Sequence, residues 1–144
     1  MILIFEGPDK SGKTTLRELI RKVRNHEDVT LDRYFGSMIV YGRLFNRYTE
    51  KEVKEWYEKE RIMDIWFSPV LVYVKCSVEK MQERIKENSH EPIAQDFLKK
   101  TIEEYDRYFD ESQYKYKLTI DTSLLTIEET CDKLVDYMNK IEKK

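Results

Sequence analysis

Met1-Ile2-Leu3-Ile4-Phe5-Glu6-Gly7-Pro8-Asp9-Lys10-Ser11-Gly12-Lys13-Thr14-Thr15 opens the chain. An apolar run enters a loop of the form G-x-x-x-x-G-K-[ST], after which Leu16, Leu19, Ile20 and Val23 recur at helical spacing. A strand before this loop and an amphipathic helix after it form the setting in which the pattern cradles phosphate. The glycines turn successive backbone N–H groups onto one anion, and the helix adds the positive end of its dipole. Residues Gly7 to Thr15 are therefore expected to bind a nucleoside triphosphate, with Lys13 on its β- and γ-phosphates and the Thr14 hydroxyl on Mg²⁺.

The rest of the composition narrows the setting. With 144 residues, 40% apolar and 38% charged, the chain reads as one highly charged globular domain spanning 1–144. A net charge of −2 supplies no basic field for duplex DNA or an anionic membrane, so nucleic acid is not an expected partner. No apolar run is long enough to span a bilayer, and a core strand starting at Ile2 leads us to expect no signal or transit peptide. Cys76 and Cys131 are solitary, lie in apolar patterns and lack metal-ligand spacing. Reduced core thiols and a cytoplasmic location follow as expectations. There is no internal repeat or linker to mark a second domain.

Working outward from the loop, the first helix is expected to run to about residue 25 and Val29–Asp32 to form a second strand. Met38, Tyr41, Leu44, Phe45 and Tyr48 predict a helix over 37–48, and Thr49 with Glu52 makes a capping box for the next one, continuing toward Phe67. Pro69–Lys75 is a continuous apolar strand suited to a parallel sheet buried on both faces. A short helix capped by Ser77, a polar loop over 86–92, a helix over 93–110, a strand over 117–121 and a helix capped by Thr126 and Glu129 complete the chain. Strands alternating with helices predict a three-layer α/β P-loop fold, with a small parallel sheet of about four strands flanked by helices. Ligands of such sheets lie at the carboxyl ends of the strands. There Gly7, Asp32, Cys76-Ser77 and Asp121-Thr122 are expected to surround one crevice.

A P-loop enzyme needs an acidic partner for Mg²⁺ at the end of a neighbouring strand. Asp32 meets that need, whereas the 70–75 strand ends in Lys75 and Cys76. Arg33 would point its guanidinium into the same crevice, toward a phosphate.

Here the residues resemble the thymidylate kinase family. FEGPDKSGKTT matches its F/I-E-G-x-D-x-x-G-K-[ST] loop, and Asp32-Arg33-Tyr34-Phe35-Gly36-Ser37-Met38-Ile39-Val40-Tyr41-Gly42 resembles its D-R-[YFH]-x-x-S-x-x-A-Y-Q segment. Pro69–Val74 is similar to its P-D-L strand, and IDTSLLTIEE to its last strand and adenine-side loop. The resemblance implies ATP and Mg²⁺ as cofactors and a small-molecule acceptor. It places Asp9, Arg33, Tyr34, Ser37 and Tyr41 around that acceptor, Lys10 near the donor phosphates, and Arg84, Lys86 and Glu91 in a lid over about 84–95. Arg84 also reads as a solvated helix residue, and Tyr41 as a core residue on the apolar face of its helix.

The chain departs from the family at Gly42, where the family has Gln, and at Val70, where it has Asp. Only residues 15–31 separate Thr14 from Asp32, so a strand, its helices and an acceptor-binding arginine are missing, with Arg43, Arg47 or Arg61 as possible substitutes. The implied reaction is transfer of the γ-phosphoryl group of ATP to a deoxynucleoside monophosphate, dTMP-like in the first instance. A nucleoside hydroxyl acceptor would instead need a base, Glu6 or Asp32. Asp9 leans toward the monophosphate, since deoxynucleoside kinases resemble E-G-N-I-G-x-G-K. A deoxynucleoside kinase, a kinase of a base or 5′ end in a polynucleotide, and a nucleotide-binding regulatory protein stay open as alternatives. The exposed sheet edge also suggests a homodimer.

Overall fold

The computed structural model describes residues 1–88 and 92–143. Its four strands, β1 (Ile2–Glu6), β2 (Val29–Asp32), β3 (Val70–Lys75) and β4 (Tyr116–Asp121), form one parallel sheet in the order β2-β1-β3-β4. The helices are α1 (Lys13–Val23), α2 (Phe35–Leu44), α3 (Glu50–Phe67), α4 (Val78–Glu87), α5 (Gln95–Glu111) and α6 (Ile127–Glu142).

Alternate side chains of β1 and β3 feed opposite layers. Leu3, Phe5, Val70, Val72 and Val74 pack against Leu16 and Ile20 of α1 and Cys131, Leu134 and Met138 of α6. Ile4, Leu71 and Tyr73 pack against Ile39 and Val40 of α2, Val53 of α3, and Tyr105 and Tyr108 of α5. Helices on both faces of a parallel sheet make the expected three-layer α/β P-loop fold. A smaller apolar cluster of Cys76, Met81, Ile85 and Leu98 ties α4 to α5. Both cysteines are buried and free, as expected.

The capping boxes at Thr49 and Thr126 and the Ser77 cap form as read. Both ends of the second helix and the start of the loop after α4 do not. The helix expected over 37–48 runs from Phe35 to Leu44. It starts early because a carboxylate from another strand caps it: Glu6 accepts the N–H groups of Tyr34 (2.5 Å) and Ser37 (3.3 Å). It stops early because Asn46 turns left-handed (φ 51°), with Asn46 N–H on the Arg43 carbonyl and Arg47 N–H on the Gly42 carbonyl. The polar loop expected from 86 begins at Asn88, because α4 continues to Glu87 and the Asn88 side chain donates to the Arg84 carbonyl (2.8 Å). No helix among the described residues is long and apolar enough to cross a membrane.

Candidate active site

β1 delivers the chain to Gly7, whose backbone (φ 151°) and packing exclude a side chain: a Cβ there would overlap the Val74 carbonyl oxygen. The loop then turns through Pro8, Asp9, Lys10 and Ser11 into α1. Whereas α3 and α6 close their first turns with capping boxes, α1 has Gly12 as its N-cap, no side-chain cap and no acidic residue in its first turn. Its leading N–H groups therefore lack an intrahelical or side-chain partner, and Ser11 Oγ is buried without a hydrogen bond among the described residues. This cradle fits the phosphates of a nucleotide.

Two residues from elsewhere brace the cradle. Thr122, just after β4, donates its hydroxyl to the Ser11 carbonyl and its N–H to the Lys75 carbonyl (2.9 Å). Arg84 of α4 donates to the Lys10 carbonyl (2.8 Å), to Thr122 Oγ1 (3.3 Å) and to the Thr122 carbonyl (3.4 Å). Arg84 is therefore half-buried and engaged, and its reading as a solvated helix residue is set aside. The sequence places Thr122 at a strand end beside the crevice, but its grip on the loop has no local signal.

Lys13 is nearly buried and its ammonium lies 3.1 Å from Asp32 at the tip of β2, so helix α1 and the neighbouring strand face the same gap. Thr14 and Thr15 are exposed in the first turn of α1. A hydroxyl and a carboxylate at the phosphate loop are oxygen donors of the kind Mg²⁺ takes, so Thr14 and Asp32 fit that ion chemically.

The other side of the gap carries Arg33, left-handed at φ 61°, with its guanidinium paired to Asp9 and lying 5.4 Å from the Tyr41 ring centroid. Ser37 joins it to the interior. Its hydroxyl donates to Glu6 (2.6 Å) and meets Tyr105 Oη at 3.1 Å. Glu6 has no exposed surface, and burial raises its carboxyl above the ordinary range despite the donors of Ser37 and Tyr34. Burial likewise raises the Tyr41 and Tyr105 phenols, so both rings are neutral donors at pH 7. Tyr41 touches both Arg33 and Tyr105, edge-on to the latter at 6.1 Å, and so lines the gap as well as the core. Tyr34 is partly exposed, its ring 4.2 Å from that of Phe35.

On the donor side a cleft of about 680 Å³ opens over the loop, floored by Lys13 and Thr14 and walled by Arg84, Ile85, Ile93, Leu125 and Ile127. Ile85 and Ile93 fall within the segment expected as a lid, and Leu125 and Ile127 within the stretch likened to an adenine-side loop, but no one of the four was singled out by the sequence for this cleft. Lys86 is exposed on the last turn of α4, and Glu91 lies outside the described residues.

The three proposed substitutes for the missing arginine differ in their surroundings. Arg43 is enclosed by Glu50, Glu111 and the Tyr57 ring, and Arg61 pairs with Glu58 on the exposed side of α3. Arg47 is exposed, 5.0 Å from the Phe45 ring centroid. Gly42 leaves room for a ring, since a Cβ there would run into Tyr48.

No curated protein matches the sequence. In fold, the chain is similar to the YorR protein of Bacillus subtilis, solved in complex with phosphorylated GDP (18% identity, 100% of this chain, 99% of that one, TM-score 0.78). It is also similar to deoxyadenosine kinase of M. mycoides, solved with the products dCMP and dCDP (12% identity, 97% and 100%, TM-score 0.68). Thymidylate kinase of Candida albicans shares 15% identity over 98% of this chain and 92% of that one, with a TM-score of 0.66. The resemblance read from the loop and the Asp-Arg segment thus points to the right group of P-loop kinases. The family model for deoxynucleoside kinases matches residues 28–143, and the chain belongs to that family of nucleoside and nucleotide kinases.

Proposed function

We propose that this kinase transfers the γ-phosphoryl group of ATP to a deoxynucleoside monophosphate, dTMP-like in the first instance, within a single domain over 1–144 whose segment 84–95 serves as the lid. The observation that carries this reading is the state of the charged groups at the gap. Glu6 is buried and hydrogen-bonded, Asp32 is paired with Lys13, and Asp9 is paired with Arg33. Once it exchanges Asp9 for an acceptor, Arg33 presents a cation, which suits an anionic acceptor whose own oxygen attacks without a strong base.

The loop amides and the start of α1 hold the polyphosphate, Lys13 neutralises charge on the transferring group, and Arg33 leaves Asp9 to hold the acceptor phosphate in line. Thr14 and Asp32 would hold Mg²⁺, which supplies further charge neutralisation on the phosphate oxygens. Ser37 and Tyr41 line the acceptor side, and the apolar cleft beside Arg84 takes the donor's base.

A second reading, favoured by the family match, is a deoxynucleoside kinase in which Asp32, partly exposed and released when Lys13 turns to the phosphates, takes the proton of a sugar hydroxyl. One screen separates the two: ADP release from ATP and Mg²⁺ with each of the four deoxynucleoside monophosphates and each of the four deoxynucleosides. Turnover of a monophosphate is expected. Turnover of nucleosides alone transfers the reading to the second, and no turnover with any acceptor rejects both.

The homodimer is part of the same reading. Val29 on the edge strand β2 and Ile65, Trp66 and Phe67 at the end of α3 are exposed. A monomer in sedimentation equilibrium removes it.

A further inference from the structure

The sequence shows no long basic-aromatic tract, yet the fold assembles one beside the acceptor gap. It starts at Arg33, whose guanidinium lies 5.4 Å from the Tyr41 ring centroid. Tyr41 lies parallel to Phe45, one turn on, with centroids 6.2 Å apart and planes at 13°. Phe45 in turn stacks with Phe97 at the start of α5 (5.9 Å, 27°), and the Arg47 guanidinium lies 5.0 Å from the Phe45 centroid. Two cations thus flank a run of three rings drawn from α2, the turn after it and α5.

Packing alone does not need this arrangement. Phe45 keeps 49% of its surface exposed, and Met38, on α2, keeps 41%. Arg47 is exposed and has no ion-pair partner among the described residues, while Arg43, four residues earlier, has two. Phe45 is the exposed ring, with Tyr41 and Phe97 half-buried on either side, and rings interleaved with guanidinium groups are the chemistry that recognises single-stranded nucleic acid. Every base has a face to stack on a ring, and every linkage has a phosphate to attract a cation.

We propose that the Tyr41–Phe45–Phe97 stripe with Arg47 binds a second nucleotide unit, so that the acceptor gap takes the 5′ end of a short single-stranded oligodeoxynucleotide. The proposal rests on the reading that Arg33 holds a 5′-phosphate. The next base then stacks on Phe45 as the Arg47 guanidinium turns from that ring to the phosphate that follows. Because β2 is the edge strand, no further strand among the described residues closes the sheet on its side.

The test is calorimetric titration of the full chain with 5′-phosphorylated thymidylate and deoxyadenylate as mononucleotide, dinucleotide and tetranucleotide, at low and at physiological salt. The longer ligands are expected to bind about tenfold tighter than the mononucleotide, which corresponds to about 1.4 kcal/mol and to one stacked base. Phe45→Leu keeps an apolar side chain against Tyr41 and Phe97 and removes the stacking face, so it should abolish the length advantage without lowering the melting temperature by more than a few degrees. Arg47→Ser should lower the salt slope of oligonucleotide binding by about 0.7. Oligonucleotides that bind no tighter than mononucleotides, or a length advantage that survives both variants, overturn the proposal. A monophosphate screen that still shows turnover leaves the kinase reading intact in that case. Conversely, a length advantage with no turnover of any acceptor supports the stripe and sinks the reaction.

Discussion

Replacing Thr122 by valine keeps the side-chain volume and removes one hydroxyl beneath the phosphate loop. That hydroxyl donates to the Ser11 carbonyl and accepts from Arg84 at 3.3 Å, and the residue is only 8% exposed. The Ser11 carbonyl is left without this donor in a site that water barely reaches, which costs about 2 kcal/mol of stability. Arg84 loses less, because the Lys10 carbonyl (2.8 Å) and the Thr122 carbonyl (3.4 Å) still receive its N–H groups. For a chain of 144 residues the loss corresponds to a fall of about 6 °C in melting temperature. The kinetic consequence is directional. Ser11 and Lys10 belong to the loop whose amides we propose to hold the donor phosphates, so the KM for ATP should rise about tenfold while the KM for the acceptor changes less than about twofold. Melting by circular dichroism and initial rates with each substrate varied in turn provide the readouts. A variant that melts at the wild-type temperature, or that shifts both KM values equally, refutes the bracing role given to Thr122.

Lys13→Met removes the cation that faces Asp32 across the gap, and kcat should fall about 100- to 1,000-fold with little change in melting temperature, measured as ADP release. Glu60 gives a pH test away from the site. It is fully buried beneath the donors of Tyr108 (2.8 Å), Ser112 and Gln113 (2.5 Å), and burial raises its carboxyl above the ordinary 4.5. The folded chain then holds a proton that the unfolded chain has released, so this contribution to stability is full below pH 4.5 and is lost as the pH rises through the raised folded value. Glu60→Gln should flatten the fall in urea midpoint over that window, although Glu6, raised by burial in the same direction, keeps part of the slope. Gly42→Ala should destabilise the chain by about 1–3 kcal/mol because its methyl meets the Tyr48 ring. Adding Tyr48→Ser should recover at least half of that in denaturant titrations, and simple additivity of the two would count against the contact.

Much of this molecule is local and was legible in the chain. The loop, the alternation of strands with helices, the Thr49 and Thr126 capping boxes and the buried β3 are each written within about twenty consecutive residues, because hydrophobic period and capping chemistry act over one or two turns. The ends of α2 were not legible in the same way. Its start depends on Glu6, 28 residues earlier than Tyr34, and its end on a left-handed Asn46 that interrupts an apolar pattern still continuing through Tyr48.

By itself the sequence determined a P-loop, a parallel sheet and an Asp-Arg tip on the strand beside it, since each of these is a statement about residue type and spacing along one segment. Only the tertiary structure decided what those segments meet. It set Arg84 on the Lys10 carbonyl 74 residues away, Thr122 on Ser11 across 111 residues, and Tyr105 on Ser37 across 68. The physical reason is that a side-chain period names the face of an element that is buried, while the partner of that face is chosen by how the whole sheet and its helices close-pack, a property no single stretch of chain contains.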